Sequence, residues 1–488
     1  MAKQITINPI TRLEGHGKIE IFLDDDGNVD DAYWQVVELR GFERFCIGRP
    51  AEEMPRITPN ICGVCPTPHN MASTKALDDL YSVEPTPAAK LVRQLHYNAF
   101  IIEDHYIHFY FLSAPDFVVG PDAPPAERNI LGVISKVGLD IGKQVIDIRK
   151  RNREIIKLIG SKPPHPEGGL PGGVPRGITE EEREWIKATA DDTVEFAQFT
   201  LKLFKDVVLA NKKYLDLVLS DAYNLKTYYM GLVDENNKVN LYEGKLRVID
   251  PNGNEYALFD PRDYIDYIGE WVEPWTYVRL THLRKLGWSG LIEGEGTSIY
   301  RVAPLARLNV SDGMATPLAQ KEYEEMYNTL GGKPAHHTLA FHWARLIEAL
   351  QCAEDLQRIA NDPLLTSKDL RNMNLKLKQV GVGCVEAARG TLIHHYETDD
   401  RGIITKANLI VATQHNAAPI CLSVKKAAMG FVKGPEVEEG LLNMVEMAFR
   451  AYDPCLACAT HCLPGHMPLT VNLRDRSSGE VIRTLERS

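Results

Sequence analysis

No stretch of this 488-residue chain is long and apolar enough to cross a bilayer. Its longer apolar runs, such as Phe109–Leu112 and Leu409–Ala412, fall far short of the roughly 20 residues a spanning helix needs. Basic runs are missing too. Lys and Arg number 55 against 66 Asp and Glu, a net charge of −11, which argues against nucleic acid as the main partner. There is no internal repeat and no low-complexity segment. Met1-Ala2-Lys3-Gln4 leads straight into an alternating segment with no apolar core or secretory cleavage site, so a cytoplasmic location is the expectation. Cysteine is sparse and odd in number. Nine cysteines in a chain this long, without an export signal, exclude a disulfide framework as the default and favour metal or redox chemistry for the clustered ones.

What is present reads as a mainly helical α+β protein without a clean domain boundary. Lys18–Leu23 begins with alternating polar and apolar residues, Asp26-Gly27-Asn28 supplies turn chemistry, and Ala32–Leu39 follows as a partner strand. Leu91, Leu95, Ile102, Tyr106 and Phe109 recur at the spacing of one buried helix face, as do Ile141, Val145, Ile148, Ile156 and Ile159. Ser161–Gly177 is dense in Pro and Gly and predicts a loop. Thr179-Glu-Glu-Glu182 has capping-box spacing and opens a helical stretch towards Ser220. Lys245–Asp250 and Glu255–Phe259 flank Pro251-Asn-Gly-Asn254 as a hairpin, and Thr391–Glu397 with Ile403–Thr413 predict a second. Leu339 to Ile359 marks another long helix, stopped near Pro363.

Cys62-Gly-Val-Cys65 and Cys455-Leu-Ala-Cys458 share the spacing that lets two thiolates meet one metal from a single tight turn. Three plainer readings stand beside a redox-metal centre. A structural zinc site normally keeps its pairs within roughly 15–20 residues, whereas these lie near opposite ends of the chain. A thioredoxin-type pair would lack its βαβ setting and leave the second pair unexplained. Four inert core thiols at this spacing are the third reading. His69 and His461 each follow a pair at a short fixed offset, where an imidazole can donate to metal-bound sulfur and tune it.

Asn60-Ile-Cys-Gly-Val-Cys-Pro-Thr-Pro-His69 resembles the N-terminal cysteine motif of nickel–iron hydrogenase large subunits, and Asp453-Pro-Cys-Leu-Ala-Cys-Ala-Thr-His461 resembles their C-terminal one. Thr11-Arg-Leu-Glu-Gly-His16, Arg40-Gly-Phe-Glu43, the His105 to Tyr110 segment, Ala114-Pro-Asp116, Pro171-Gly-Gly-Val174 and Glu386-Ala-Ala-Arg-Gly390 fall in the family's order, so the resemblance runs nearly the whole chain. It implies a long central helix bundle with N-terminal and peripheral β-sheets, and a catalytic subunit that cleaves H2 reversibly and heterolytically. Cys62 and Cys455 would be terminal nickel ligands, with Cys65 and Cys458 bridging to an iron that carries CO and cyanide. Glu14 would pass protons beside Cys455, Arg389 would lie over the metals, and Asp116 would position Arg389. His69 would tune the centre, and Thr413 would hydrogen-bond a cyanide. Glu43, His461 and the Leu409 carbonyl would hold a magnesium ion, an assignment that fits mostly hard oxygen donors. A guanidine acting as proton acceptor would require an unusually dry site, because arginine is otherwise cationic.

Asn60 stands where the family usually has Arg, Ala388 where many members have Pro, and His415 where an apolar aromatic is common. None of these removes a ligand. The resemblance treats 1–461 as one intertwined unit. It implies that a maturation protease removes the 462–488 extension, while Leu469–Leu473 also reads as a strand. Cys46, Cys352, Cys384 and Cys421 are isolated, so electrons would leave through a small subunit carrying iron–sulfur clusters and further electron-transfer subunits. The sequence is most similar to the soluble, viologen-reducing branch linked to heterodisulfide reductase, with NAD(P)-linked enzymes close behind. A zinc-stapled scaffold, or a relative of the quinone-binding subunit of respiratory complex I, are the competing classes. The latter lacks both cysteine pairs.

Overall fold

The computed structural model describes residues 3–434, 437–461, 469–474 and 481–487. The chain opens with an antiparallel sheet of β1 (Lys3–Ile7), β2 (Gly17–Leu23) and β3 (Val29–Val36). Along β2, inward and outward residues alternate, and Ile19 faces Trp34 across the pair with both fully buried. The connection between β1 and β2 carries Glu14, which forms an isolated bridge with Cys455 from the other end of the chain.

α1 (Pro66–Leu80) starts one residue after Cys65, with proline in its first turn, where no amide hydrogen is needed. α2 (Pro87–Ile107) is capped by the Thr86 hydroxyl. The helix predicted through Phe109 does continue, but it widens into π turns at His108–Ser113 and Pro115–Val119. Such bulges are rare and collect at functional sites. α3 (Leu139–Gly160) follows. After the Pro/Gly-rich loop comes α4 (Glu180–Phe204), opened by the expected capping box: Glu182 N–H donates to Thr179 Oγ1 at 3.2 Å and Thr179 N–H to Glu182 Oε2 at 2.9 Å.

The middle holds β4 (Tyr228–Val233), β5 (Lys245–Ile249), β6 (Glu255–Phe259), β7 (Ile268–Val272), β8 (Arg279–Leu283) and β9 (Tyr300–Arg301), including the predicted β5–β6 hairpin. α5 (Phe341–Ala360) packs on α2 and α4 to form the central bundle. A second antiparallel sheet then joins β10 (Val380–Ala387), β11 (Gly390–Thr398) and β12 (Ile404–Ile410). β10 is so tight on α1 that a side chain at Gly383 would sit 2.0 Å from the Ala72 carbonyl oxygen. β10 escaped the sequence reading because both its faces are buried, so it lacks alternation. The strand expected over Ile403–Thr413 stops at Ile410. α6 (Ala412–Phe431) begins there instead, with the Gln414 side chain accepting the Val411 N–H at 3.2 Å. α7 (Glu439–Arg450) leads into the second cysteine pair.

One continuous apolar core runs from Ile10 in the N-terminal region to Ala459 beside Cys458. The two ends of the chain are thus packed into one body. The expected strand in the tail is β13 (Leu469–Arg474), paired with β14 (Val481–Arg487). Cys462 lies outside the described residues. Among the described residues no helix is long and apolar enough to cross a membrane.

Candidate metal centre

The four cysteines of the two pairs meet. All are buried, and their sulfurs lie within 4.8 Å of one another, the only such group of three or more candidate ligand side chains among the described residues. Cys62 Sγ is 3.3 Å from Cys455 Sγ, Cys65 Sγ is 3.3 Å from Cys458 Sγ, and Cys455 and Cys458 are 2.9 Å apart. In the first pair the turn holds its own sulfur: the N–H groups of Val64 and Cys65 donate to Cys62 Sγ at 3.2 and 3.4 Å. The second pair hangs on groups distant in sequence. Cys455 N–H donates to Thr413 Oγ1 at 2.9 Å, and Leu456 N–H donates to the Glu14 carbonyl at 3.0 Å.

The electrostatics separate the sulfurs. Hydrogen bonding from Cys455, Cys458 and Cys65 pulls the Cys62 thiol well below its usual range, while burial pushes Cys455 and Cys458 up. Four sulfurs crowded in a dry pocket disfavour several thiolate charges at once without a metal. A soft cation that displaces the thiol protons satisfies all four donors at once. The cradle therefore fits thiolate-loving metals such as nickel and iron.

Glu14 Oε2 lies 2.9 Å from Cys455 Sγ and also accepts the Ala457 N–H at 3.1 Å. Burial, with a contribution from Cys62, raises its carboxyl above the usual range. His69 is enclosed. Its Nε2 is 3.5 Å from Cys458 Sγ and its Nδ1 3.1 Å from His394 Nε2, and burial lowers it to about 4, so it is neutral.

Arg389 is where the structure corrects the sequence reading. Its guanidinium donates to both oxygens of Asp104 at 2.8 and 3.1 Å and lies 3.0 Å from Asp453 Oδ2. Asp116 is elsewhere. It accepts from Arg12 at 2.5 Å, Arg450 at 2.7 Å and Asn443 at 3.1 Å, and so anchors the end of α7 rather than Arg389. Burial opposes the Arg389 charge, while Asp104, Asp453 and the cysteines favour it and raise the guanidinium above its ordinary range. The site is dry, but it supplies two carboxylates. The signal for Asp453 was available in the sequence, two residues before Cys455. Asp104 had none, since a lone carboxylate on a buried helix face has no distinguishing spacing.

The third expected group also converges. Glu43 Oε1 accepts the Leu409 N–H at 2.9 Å. His461 points Nδ1 at the Ala459 carbonyl (2.7 Å) and Nε2 at the Leu409 carbonyl (3.2 Å). A neutral imidazole has one N–H, so with both nitrogens facing oxygens one contact opposes two lone pairs unless a proton or a cation sits in it. Arg279 reaches within 3.6 Å of Glu43 and of Glu270, a carboxylate the sequence reading missed.

Comparison with known proteins decides the meaning of the cradle. The family described as nickel-dependent hydrogenase matches residues 40–129 and 295–461, and a family described as HoxL-like matches 4–39. This chain belongs to the nickel-dependent hydrogenase large subunits. It is 51% identical to an iron-sulfur subunit of the F420-non-reducing hydrogenase of Archaeoglobus profundus, over 99% of each chain. It is 38% identical to the NAD-reducing hydrogenase HoxS subunit beta of Cupriavidus necator, again over 99% of each. Among solved structures it superposes on an NAD+-reducing nickel–iron hydrogenase in the H2-reduced state with a TM-score of 0.88 and 37% identity, covering 94% of this chain and 99% of that one. The hydrogenase is thus an oxidoreductase acting on H2. The four-cysteine cluster fits the nickel and iron of this family, and the zinc-scaffold and quinone-subunit readings are not favoured.

Proposed function

We propose that Cys62 and Cys455 are terminal ligands of nickel and that Cys65 and Cys458 bridge it to an iron carrying CO and cyanide. The observation that carries this reading is the meeting of four buried sulfurs beside the buried Glu14 carboxyl, with the Asp104-held Arg389 within their electrostatic reach. When bound, the metal pair would supply Lewis acidity and redox capacity towards H2. The chain's own residues handle the proton and the geometry. Glu14, at 2.9 Å from Cys455 Sγ and raised by burial, takes a proton from that sulfur and passes it outward. Arg389 remains a cation. Held by Asp104 and Asp453, it is a pre-oriented charge within electrostatic reach of the cradle that costs no reorganisation during reaction. Thr413 Oγ1 accepts from Cys455 N–H, which leaves its own hydrogen for a cyanide nitrogen.

Glu43, His461 and the Leu409 carbonyl form a magnesium site. The Glu43 carboxylate, His461 Nε2 and the Leu409 carbonyl oxygen, the last two 3.2 Å apart, are the donors that would hold the ion. A cation there also resolves the opposed lone pairs. Electrons leave through a small subunit with iron–sulfur clusters and further electron-transfer subunits. Val37, Leu39, Phe45 and Ile47, exposed in and around the segment that leads to Cys62, offer apolar surface for such a partner. The enzyme works in the cytoplasm, and a maturation protease removes 462–488 after His461. The relatives named for not reducing F420 favour an acceptor other than F420, in line with the heterodisulfide-reductase-linked branch.

The deciding experiment is an infrared spectrum of the anaerobically purified complex, with intact mass on the same sample. Bands in the window of metal-bound CO and cyanide, on a chain ending at His461, are expected. A nickel-loaded, active complex without those bands would overturn the diatomic-ligated iron, and a full-length active chain would overturn the cleavage.

A further inference from the structure

The helix α5 buries Arg345 completely. Arg93, Arg307, Arg389 and Arg450, all buried, each pair with a carboxylate within 4 Å, but Arg345 has none among the described residues. A buried guanidinium without a partner is costly, so its contacts should account for its place. Its Nε donates to His108 Nδ1 at 3.0 Å and its Nη2 to the Ala451 carbonyl at 3.0 Å. Because His108 accepts at Nδ1, its hydrogen is on Nε2, which donates to the Arg450 carbonyl at 2.8 Å. Arg345 thus controls two consecutive carbonyls at the end of α7, one directly and one through the tautomer of His108. Immediately beyond them the chain turns through Asp453 in the left-handed region, at φ 57°, and enters Cys455.

Asp453 also lies within the electrostatic reach of Arg345. Burial lowers the Arg345 guanidinium to about 10, with Asp453 the largest influence keeping it charged. Asp453 thus feels two cations, Arg389 at 3.0 Å and Arg345 from α5.

We propose that Arg345 is a positioning residue for H2 cleavage: by capping Ala451 and fixing His108 on Arg450, it sets the turn that carries Asp453 into Cys455 and, through the Asp453–Arg389 pair, the placement of Arg389. This deepens the proposed function and rests on Arg389 acting as the fixed cation. Lysine keeps the charge but cannot serve Nε and Nη2 contacts together.

The test uses the assembled complex carrying Arg345→Lys, His108→Leu or Arg389→Lys, each assayed for nickel per chain, kcat and KM with an artificial electron acceptor, and nickel electron paramagnetic resonance. A displacement of order 1 Å costs up to about 100-fold in rate. Arg345→Lys should therefore lower kcat per nickel about tenfold or more, leave KM for H2 within about twofold, and shift the nickel g-values. His108→Leu, which frees one carbonyl only, should shift the spectrum in the same sense with a smaller loss. Wild-type kcat per nickel and spectrum in both variants, with Arg389→Lys impaired, would overturn the role of Arg345 alone. An unimpaired Arg389→Lys would overturn the fixed-cation reading beneath it. If Arg345→Lys fails to load nickel, His108→Leu decides by the same two readouts.

Discussion

The two cysteine pairs are alike in sequence and unlike in what holds them. Cys62 and Cys65 sit on a self-sufficient turn, with backbone N–H groups on the sulfur and α1 beginning on the next residue. Cys455 and Cys458 lean on polar groups contributed from far away: Arg450 on Asp116, Asp116 on Arg12, His108 and Arg345 on the carbonyls at the end of α7, and Glu14 on the loop itself. A locally satisfied turn is defined by its own few residues. A loop held by buried ion pairs is defined only when the rest of the molecule is in place, and each missing partner leaves a charge unpaired.

The comparison predicts effects of graded size. At the top, the pairs should be equal as ligands: Cys62→Ser and Cys455→Ser should each abolish nickel retention and H2-dependent dye reduction, measured by elemental analysis and turnover. Nickel retained in either would break the four-sulfur assignment. Next, Glu14→Gln keeps the shape of the contact but removes proton transfer, so turnover should drop by about 10²–10⁴-fold with nickel unchanged. A normal rate would move the proton path elsewhere.

Arg450→Met, which leaves Asp116 with Arg12 as its one remaining cation and takes the buried cation from Glu446, should destabilise the complex by about 3–5 kcal/mol in denaturant unfolding. The same ion pairs carry a pH signature. Burial alone would raise Asp116, but Arg450 and Arg12 outweigh burial and hold its carboxyl below the usual range. A depressed folded-state value contributes stability that is present above the unfolded carboxylate value, about 3.9, and is lost as pH falls through the folded one. The stability gap between the wild type and Asp116→Asn should thus narrow on acidification from about pH 6 towards about pH 3; a constant gap would contradict the ion-pair account. At the small end, Asn60→Ala removes only an exposed side chain bonded to the Arg56 and Ile57 carbonyls. It should change stability by no more than about 0.5–1 kcal/mol despite lying two residues from Cys62.

These contrasts also mark what the sequence could disclose. Features encoded by near neighbours were legible: the C-x-x-C turns, the Thr179 capping box and the β5–β6 hairpin all depend on residues within a few positions. Glu14 and Thr413 came from motif resemblance, and both lie against Cys455. Features encoded by distant partners were not. Asp104 and Asp116 are both carboxylates in or just beyond α2, twelve residues apart, and only the widened π turns between them decide which faces Arg389 and which faces Arg450. The loss of alternation in β10 has the same origin, because its second buried face exists only once α1 has docked.

The contact between Glu14 and Cys455 joins residues 441 positions apart. A ribosome adds these residues in order, so the first pair and its turn exist long before the second. Loop closure over such a span brings no enthalpic return until the last helix has docked. The sulfur cradle is therefore among the last parts of the molecule to form. The half-built site with Cys62 and Cys65 alone is an obligatory species during synthesis.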